Sequence, residues 1–293
     1  MNIYRHIPTL RTLEQQYSPS TLVPDIERYK VQYRGRSESA RLNRSTWTTL
    51  RYRPAEPEVL DFFSAEAAQR LPPLLIYLHG GYWQELSKNE HSFPAVACRR
   101  HGVSYAAVGY GLAPGSSLDE IVERCRRAIT WLAGRSIELG FDRNAMHIGG
   151  SSAGAHLAAM VGLTPWSRYG LPGNPVRSLV LLSGIFDLRP LILTYINNAV
   201  RLDEGAALRN SPLLLLDCAV DSFPPTLIAY GDNETDEFKR QSREFSEAII
   251  RKGSHAWHYE IPGRNHFDLP FDLADADTML GRLMLTCMGV RLG

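Results

Sequence analysis

The sequence MHIGGSSAGAHL spans residues 146–157 and passes from an apolar strand end through small residues into a helix-like run. Inside it, Gly150, Ser152 and Gly154 fit the pattern G-x-S-x-G, which is typical of a sharp turn between a strand and a helix. Glycine suits both flanks because such a turn strains the central backbone and leaves no room for neighbouring side chains. We therefore predict that Ser152 is a nucleophile. The adjacent Ser151 lacks a following glycine at the required spacing.

Strand and helix patterns alternate along the chain around this turn. Short continuous apolar runs predict buried strands, and apolar residues three and four positions apart predict helices. The predicted strands cover residues 46–53 (an edge strand), 74–78, 103–110, 146–148, 178–182, 225–230 and 257–261. The predicted helices cover residues 13–17, 26–33, 93–100, 118–133, 237–251 and 275–288, whereas residues 54–71 indicate a loop or a short helix. This alternation predicts an α/β fold with a mostly parallel central sheet and helices on both faces.

Two segments do not follow the alternation. Residues 1–45 are polar and weakly periodic, which favours an N-terminal arm that packs on the main body. Residues 184–223 are too many for a simple crossover helix. Two interpretations of them stand equal, a lid or pocket-wall insertion over the C-terminal edge of the sheet and an ordinary helix pair. We expect residues 1–293 to form a single domain, since α/β folds often reach this length.

Composition excludes several classes of protein. The chain has 293 residues, of which 44% are hydrophobic, and a formal net charge of +1. Because basic runs are absent, we expect no binding to nucleic acid or to an anionic membrane surface. The N-terminus lacks the apolar segment of a secretory signal, and no apolar run is long enough to span a membrane. Four scattered cysteines, at positions 98, 125, 218 and 287, favour reduced thiols in a cytoplasmic protein over disulfides or a zinc site.

A serine hydroxyl becomes a good nucleophile only when a base removes its proton, and the base needs an acid that orients it. His266 follows the last predicted strand and is the predicted base. His79, His147 and His156 lie at strand ends or in the helix after the serine, where a structural role is more common. No cluster of ligand residues has metal-binding spacing, so neither a metal nor a cofactor is expected.

The orienting acid should follow the strand that ends at residue 230. The loop sequence GDNETDEF at residues 231–238 offers four carboxylates. Asp236 and Glu237 fit the start of the next helix, where negative charge complements the helix dipole. Asp232 and Glu234 are then the two candidates, and their spacing does not choose between them. In either case the order serine, acid, histidine is the order of the α/β-hydrolases.

The remaining requirement is a set of donors for a developing oxyanion. The sequence HGGYW at residues 79–83 directly follows the strand at 74–78 and matches the H-G-G-G type of loop in lipases and esterases. Glycine in such a loop lets backbone N–H groups approach an oxyanion closely. The predicted donors are the N–H groups of Gly81, Tyr82 and Ala153. Together these motifs predict a serine hydrolase.

The motifs also resemble those of one family. The shared segments are HGGYW at 79–83, YGLAP at 110–114, the serine turn, EFKRQS at 237–242, HF at 266–267 and LEQQYSPS at 13–20. This combination is similar to the kynurenine formamidase (arylformamidase) family, a branch of the hormone-sensitive-lipase-like α/β-hydrolases. The resemblance implies hydrolysis of N-formyl-L-kynurenine to L-kynurenine and formate. It also implies that Glu234, three residues before Glu237, is the triad acid and that Trp83 contacts the substrate.

Other functions are compatible with the same motifs. The chain could be a carboxylesterase or a biosynthetic tailoring hydrolase that acts on small aryl esters or amides. A pocket containing Tyr82, Trp83, Phe186 and Tyr195 would suit a small aromatic substrate. A non-catalytic binding protein on a hydrolase scaffold is disfavoured because the serine, the histidine and two eligible acids are all present. A homodimer is compatible with the sequence, which gives no direct indication of oligomeric state.

Overall fold

The computed structural model describes residues 2–54, 57–66, 70–218 and 222–292. Within these ranges a mostly parallel sheet of eight strands has the order β1-β2-β4-β3-β5-β6-β7-β8. The strands are Trp47–Arg51 (β1), Val59–Phe63 (β2), Leu74–Leu78 (β3), Ser104–Val108 (β4), Met146–Ser151 (β5), Val176–Leu182 (β6), Thr226–Asn233 (β7) and Ala256–Asn265 (β8). The β1–β2 and β2–β4 pairs are antiparallel, and every other pair is parallel. The predicted α/β architecture is therefore confirmed.

Helices cover both faces of the sheet. They are Leu10–Gln16 (α1), Glu27–Ala40 (α2), Ala95–Arg100 (α3), Leu118–Gly134 (α4), Ser136–Leu139 (α5), Ala153–Gly162 (α6), Asn197–Val200 (α7), Glu204–Arg209 (α8), Pro212–Leu215 (α9), Asp236–Arg251 (α10) and Met279–Cys287 (α11). Along β6, Leu179 and Leu181 face the larger hydrophobic core, whereas Val180 and Leu182 face the smaller one. This alternation follows from the two-residue period of a strand, and it leaves both faces of the sheet covered by apolar side chains.

The prediction for residues 54–71 is corrected by strand β2, which lies between β1 and β4. Residues 55, 56 and 67–69 of that segment lie outside the described residues. Aspartate is rare in strands, and Asp61 in the middle of β2 hid the pattern. Its buried carboxylate is 3.0 Å from Arg41 Nη2 and 2.9 Å from Lys88 Nζ. These ion pairs offset the cost of burying the charge, but their partners are distant in sequence.

The N-terminal segment packs on the main body. Ile7, Leu13 and Tyr17 are buried in the larger hydrophobic core. The Tyr17 hydroxyl donates a hydrogen bond of 2.7 Å to Glu237 Oε2 in the first turn of α10. The segment is therefore anchored both by apolar burial and by a buried polar contact.

Residues 184–223 form short helices, among them α7, α8 and α9, and residues 219–221 lie outside the description. Gln241 Oε1 accepts hydrogen bonds from the backbone N–H groups of Phe186 (2.6 Å) and Asp187 (2.7 Å). The ring of Phe186 stacks on Phe245 with 4.2 Å between centroids. The start of this segment is thus fixed against α10. Among the helices that the description includes, none combines the length and apolar character needed to cross a membrane.

Candidate active site

The candidate site lies at the carboxyl ends of the parallel strands, where α/β sheets usually bind ligands. Ser152 follows β5, Ser183 follows β6, Glu234 follows β7 and His266 follows β8. The loop of residues 79–83 follows β3 in the same way. The parallel arrangement thus gathers residues that are far apart in the chain at one edge.

Ser152 stands in a strained turn between β5 and α6. Its φ of 57° and ψ of −120° are unusual for a residue other than glycine. A Cβ on Gly154 would lie 1.9 Å from the carbonyl oxygen of Leu78, and a Cβ on Gly150 would lie 2.3 Å from the backbone of Gly154. Both positions therefore require glycine, which is the physical reason for the G-x-S-x-G spacing.

His266 and Glu234 form a buried hydrogen-bonded pair. His266 Nδ1 is 2.8 Å from Glu234 Oε2, and the Glu234 side chain is inaccessible to solvent. Because a carboxylate can only accept, Nδ1 carries the proton and Nε2 is left as the basic nitrogen. His266 and Ser152 line the same cavity. No hydrogen bond joins them among the described residues, which is common in ligand-free catalytic sites.

Asp232, the other candidate acid, is not brought to the histidine. Its carboxylate is exposed, and Oδ1 accepts a hydrogen bond of 3.2 Å from the backbone N–H of Arg264. Its side chain therefore contacts the neighbouring strand β8, and Glu234 is the acid next to His266.

Ser183 completes the surroundings of Glu234 and was not anticipated from the sequence. Its hydroxyl donates a hydrogen bond of 2.6 Å to Glu234 Oε1, which also accepts the Gly231 N–H at 2.7 Å. Ser183 is fully buried and has a positive φ of 48°. A serine after a strand carries no sequence signal for such a role, because its partner is a loop residue 51 positions away.

The loop after β3 approaches the serine turn closely. A Cβ on Gly80 would lie 3.0 Å from the carbonyl oxygen of Ser151. Gly81 and Tyr82 have φ values of 102° and 47°, and their N–H groups donate to no acceptor within the described ranges. Ala153 is the first residue of α6, so its N–H has no acceptor inside the helix. These three N–H groups therefore have no acceptor among the described residues, and Gly81 and Tyr82 also line the cavity.

Trp83 lies behind the cavity and does not line it. The side chain is fully buried, and its Nε1–H donates a hydrogen bond of 3.2 Å to His156 Nδ1. The opposite nitrogen of His156 donates to the carbonyl oxygen of Asn210 at 2.7 Å. The prediction that Trp83 contacts the substrate is therefore corrected. Its side chain instead anchors the end of the loop of residues 79–83 to His156 in α6. Phe186 is likewise buried away from the cavity, whereas Tyr82 and Tyr195 do line it.

Part of the cavity wall comes from the N-terminal segment. Of the residues that line the cavity, six belong to this segment: Pro19, Ser20, Ile26, Tyr29, Lys30 and Tyr33. Tyr195 is the contribution of residues 184–223, and its hydroxyl is 2.9 Å from the Ser18 hydroxyl. Tyr33 also donates a hydrogen bond to the carbonyl oxygen of Phe267, beside His266. The arm thus both encloses the cavity and holds the histidine loop.

Several other histidines are buried and neutral. Burial lowers the pKa of His79 to about 3 and the pKa values of His91, His147 and His156 to about 4. His147 Nδ1 is 2.7 Å from the Ser178 hydroxyl, at the opposite end of the sheet. His91 lines the cavity, a position that the sequence did not suggest. Among the described residues, no group of three or more histidine, cysteine, aspartate or glutamate side chains could hold a metal ion.

A strained serine that shares a cavity with a carboxylate-bound histidine, at the carboxyl edge of this sheet, defines a serine hydrolase of the α/β-hydrolase class. Comparison with known proteins is more specific. The chain is 35% identical over 285 residues to kynurenine formamidase from Danio rerio. This alignment covers 94% of this chain and 96% of that protein. The kynurenine formamidase of Salmo salar gives 35% identity with the same coverage. The chain belongs to the kynurenine formamidase family.

Two further comparisons agree with this class. Residues 60–172 match the family model described as BD-FAE. A solved structure from Silicibacter sp. TM1040, provisionally assigned as a thioesterase, superposes with a TM-score of 0.80 at 25% identity. That superposition covers 95% of this chain and 98% of the other. The chain is therefore a hydrolase of the formamidase and esterase type.

Proposed function

We propose that this protein hydrolyses N-formyl-L-kynurenine to L-kynurenine and formate, with Ser152 as nucleophile, His266 as general base and Glu234 as orienting acid. The observation that carries the proposal is the 2.8 Å contact between His266 Nδ1 and Glu234 Oε2 beside the cavity that Ser152 lines. Membership of the kynurenine formamidase family supports the substrate. The cavity lining supports an aromatic one, because it includes Tyr29, Tyr33 and Phe267.

The first half of the reaction forms a formyl-enzyme. Ser152 Oγ attacks the formyl carbon while His266 Nε2 takes the hydroxyl proton. Glu234 stabilises the imidazolium that results, because its carboxylate already holds Nδ1–H. The oxyanion receives hydrogen bonds from the N–H groups of Gly81, Tyr82 and Ala153. Collapse of the tetrahedral intermediate breaks the C–N bond, and His266 returns the proton to the leaving arylamine.

The second half releases formate. Water attacks the formyl ester of Ser152 while His266 removes a proton from it. A second tetrahedral intermediate collapses, and the proton on His266 returns to Ser152 Oγ. The second proton of the water leaves on formic acid, which ionises to formate and releases that proton to solvent.

Ser183 is predicted to act by positioning Glu234. Changing Ser183→Ala should lower kcat roughly tenfold to a hundredfold with little change in KM, since one charge-assisted hydrogen bond to the acid is lost. Steady-state kinetics on N-formyl-L-kynurenine would measure both constants. Ser178→Ala is the matched control, because Ser178 is also a buried serine of this strand region whose hydroxyl contacts an ionisable side chain, His147, but it lies at the far end of β6. Equal losses in the two variants would mean that Ser183 is merely structural.

A carboxylesterase acting on small aryl esters is the second candidate, because an ester would be cleaved by the same steps. Kinetics on the wild-type protein with N-formyl-L-kynurenine and para-nitrophenyl acetate would separate the two. We expect kcat/KM for the formamide to exceed that for the ester by about tenfold or more, the size of one specific positioning contact. Turnover of the ester alone would favour the carboxylesterase. Absence of both activities and of labelling by a fluorophosphonate would favour a non-catalytic binding protein. The cytoplasmic location and the homodimer stay predictions.

A further inference from the structure

An ion pair stands in the cavity wall, where it is exposed to an incoming ligand. Lys30 Nζ in α2 is 2.8 Å from Glu85 Oε2, in the turn that follows the loop of residues 79–83. Among the described residues that line the cavity, these two carry the only acidic or basic side chains other than histidine. A pair of opposite charges in a lining that otherwise consists of aromatic, aliphatic, small and histidine residues requires an explanation.

Each member of the pair keeps an unused hydrogen-bonding group. A lysine ammonium has three N–H donors, and Lys30 has contacts with Glu85 and, at 3.2 Å, with Glu27. One donor therefore remains for a ligand. Glu85 Oε1 has no partner in the described part of the chain. The hydrogen bond to Glu85 raises the pKa of Lys30, so the ammonium stays charged at neutral pH.

We propose that Lys30 and Glu85 together bind the α-amino acid group of the substrate. The substrate carboxylate accepts the remaining Lys30 N–H, and the substrate ammonium donates to Glu85 Oε1. The Lys30–Glu85 ion pair and the zwitterionic amino acid group of the substrate then lie antiparallel. Each of the four charged groups is next to two groups of opposite charge. This inference rests on the proposed function, because N-formyl-L-kynurenine carries both an aryl formamide and a free α-amino acid group.

The backbone links this contact to the reacting centre. The N–H of Glu85 donates to the carbonyl oxygen of Gly81 at 3.0 Å. A Cβ on Gly81 would lie 2.1 Å from the carbonyl oxygen of Glu85. Glu85 and the predicted oxyanion donors therefore belong to one closely packed turn. A substrate bound at Glu85 is therefore held at a fixed position relative to the N–H groups that would donate hydrogen bonds to its oxyanion.

The experiment compares three formamides that differ only in the amino acid group. They are N-formyl-L-kynurenine, its analogue without the α-amino group, and N-formyl-ortho-aminoacetophenone, which lacks the whole group. For the wild type we expect kcat/KM to fall about tenfold when the amino group is removed and about tenfold again when the carboxylate is removed. Each step removes one charge-assisted hydrogen bond on a partly exposed partner. The losses should appear mainly in KM, since these contacts exist before and during the reaction.

The variants separate the two contacts. Lys30→Met should abolish the preference that depends on the carboxylate, and Glu85→Gln should abolish the preference that depends on the amino group. Arg5→Met is the matched control, because Arg5 lies 2.6 Å from Glu244, in an ion pair of similar exposure that joins the arm to α10 outside the cavity. It should keep both preferences.

Three results would overturn the inference. Equal kcat/KM for the three formamides in the wild type would show that the amino acid group is not recognised, while leaving the proposed function intact. Loss of both preferences in Arg5→Met would show that arm position, and not contact with Lys30, sets them. Failure of the wild type to cleave any formamide would refute the proposed function and this inference together.

Discussion

Replacing Ser152 with alanine is expected to reduce kcat by about a factor of a million, as found when a triad serine is removed from another serine hydrolase. The variant should stay folded. The change removes one hydroxyl from a small side chain, and Ser152 keeps its backbone hydrogen bond to Leu182 at 2.8 Å. Steady-state kinetics on N-formyl-L-kynurenine would measure the loss, and labelling by a fluorophosphonate should disappear with it.

Ser151→Ala is the control for this variant. Ser151 is the last residue of β5 and also lines the cavity, so it tests whether any hydroxyl at this edge would serve. Ser151 has the extended backbone of a strand, whereas the strained conformation with positive φ is at Ser152. We expect a loss smaller by several orders of magnitude. Inactivation by Ser151→Ala, together with an active Ser152→Ala protein, would refute Ser152 as the nucleophile.

The second large effect is expected for Glu234→Gln, which should lower kcat by about a factor of ten thousand. Ser183 Oγ and the Gly231 N–H both donate to the Oε1 side of this residue. The glutamine carbonyl oxygen will therefore face them, and its NH₂ will face His266. An NH₂ donor requires an unprotonated Nδ1, which moves the imidazole proton to Nε2. A histidine in that tautomer cannot accept the serine proton.

Asp232→Asn is the matched control, because Asp232 lies two residues before Glu234, at the end of β7, and both changes remove one charge. Asp232 is exposed, and its carboxylate has one hydrogen bond among the described residues, from the backbone N–H of Arg264. We expect kcat to change by less than about threefold, as for an exposed carboxylate with one weak contact. Kinetics on folded proteins, checked by circular dichroism, would test the ranking. The reverse ranking would identify Asp232 as the orienting acid.

Much of the fold was predictable because its strong signals are local. Helix α4 begins at Leu118, as the sequence indicated, since Ser117 and Glu120 form a capping box and the apolar positions share one face. Strands β3 and β6, on either side of the strand that leads to the serine turn, each contain a continuous apolar run, so they were found with small differences at their ends. Strand β2 was missed because Asp61 interrupts its apolar run and is tolerated only through partners elsewhere in the chain.

The site was predictable where a motif constrains the backbone and not where side chains meet across the fold. Gly150 and Gly154 mark the serine turn because any larger residue would collide with backbone atoms. The choice between Asp232 and Glu234 depended on direction within a loop, which spacing does not encode. Ser183, the arm residues of the cavity and the burial of Trp83 involve partners far apart in the sequence. Their catalytic and binding roles stay predictions.

The part of the cavity wall that the N-terminal arm contributes has a consequence for how such an enzyme can evolve. The serine turn tolerates almost no change, since its glycines touch neighbouring backbone. The arm instead reaches the cavity through side chains such as Lys30, whose ion pairs with Glu27 and Glu85 involve no strand residue. Substrate range can therefore diverge by drift in the arm while the chemistry is inherited unchanged. For the engineer, a library confined to Pro19, Ser20, Ile26 and Lys30 would sample new leaving groups while keeping Tyr29 and Tyr33, which contact the residues beside His266.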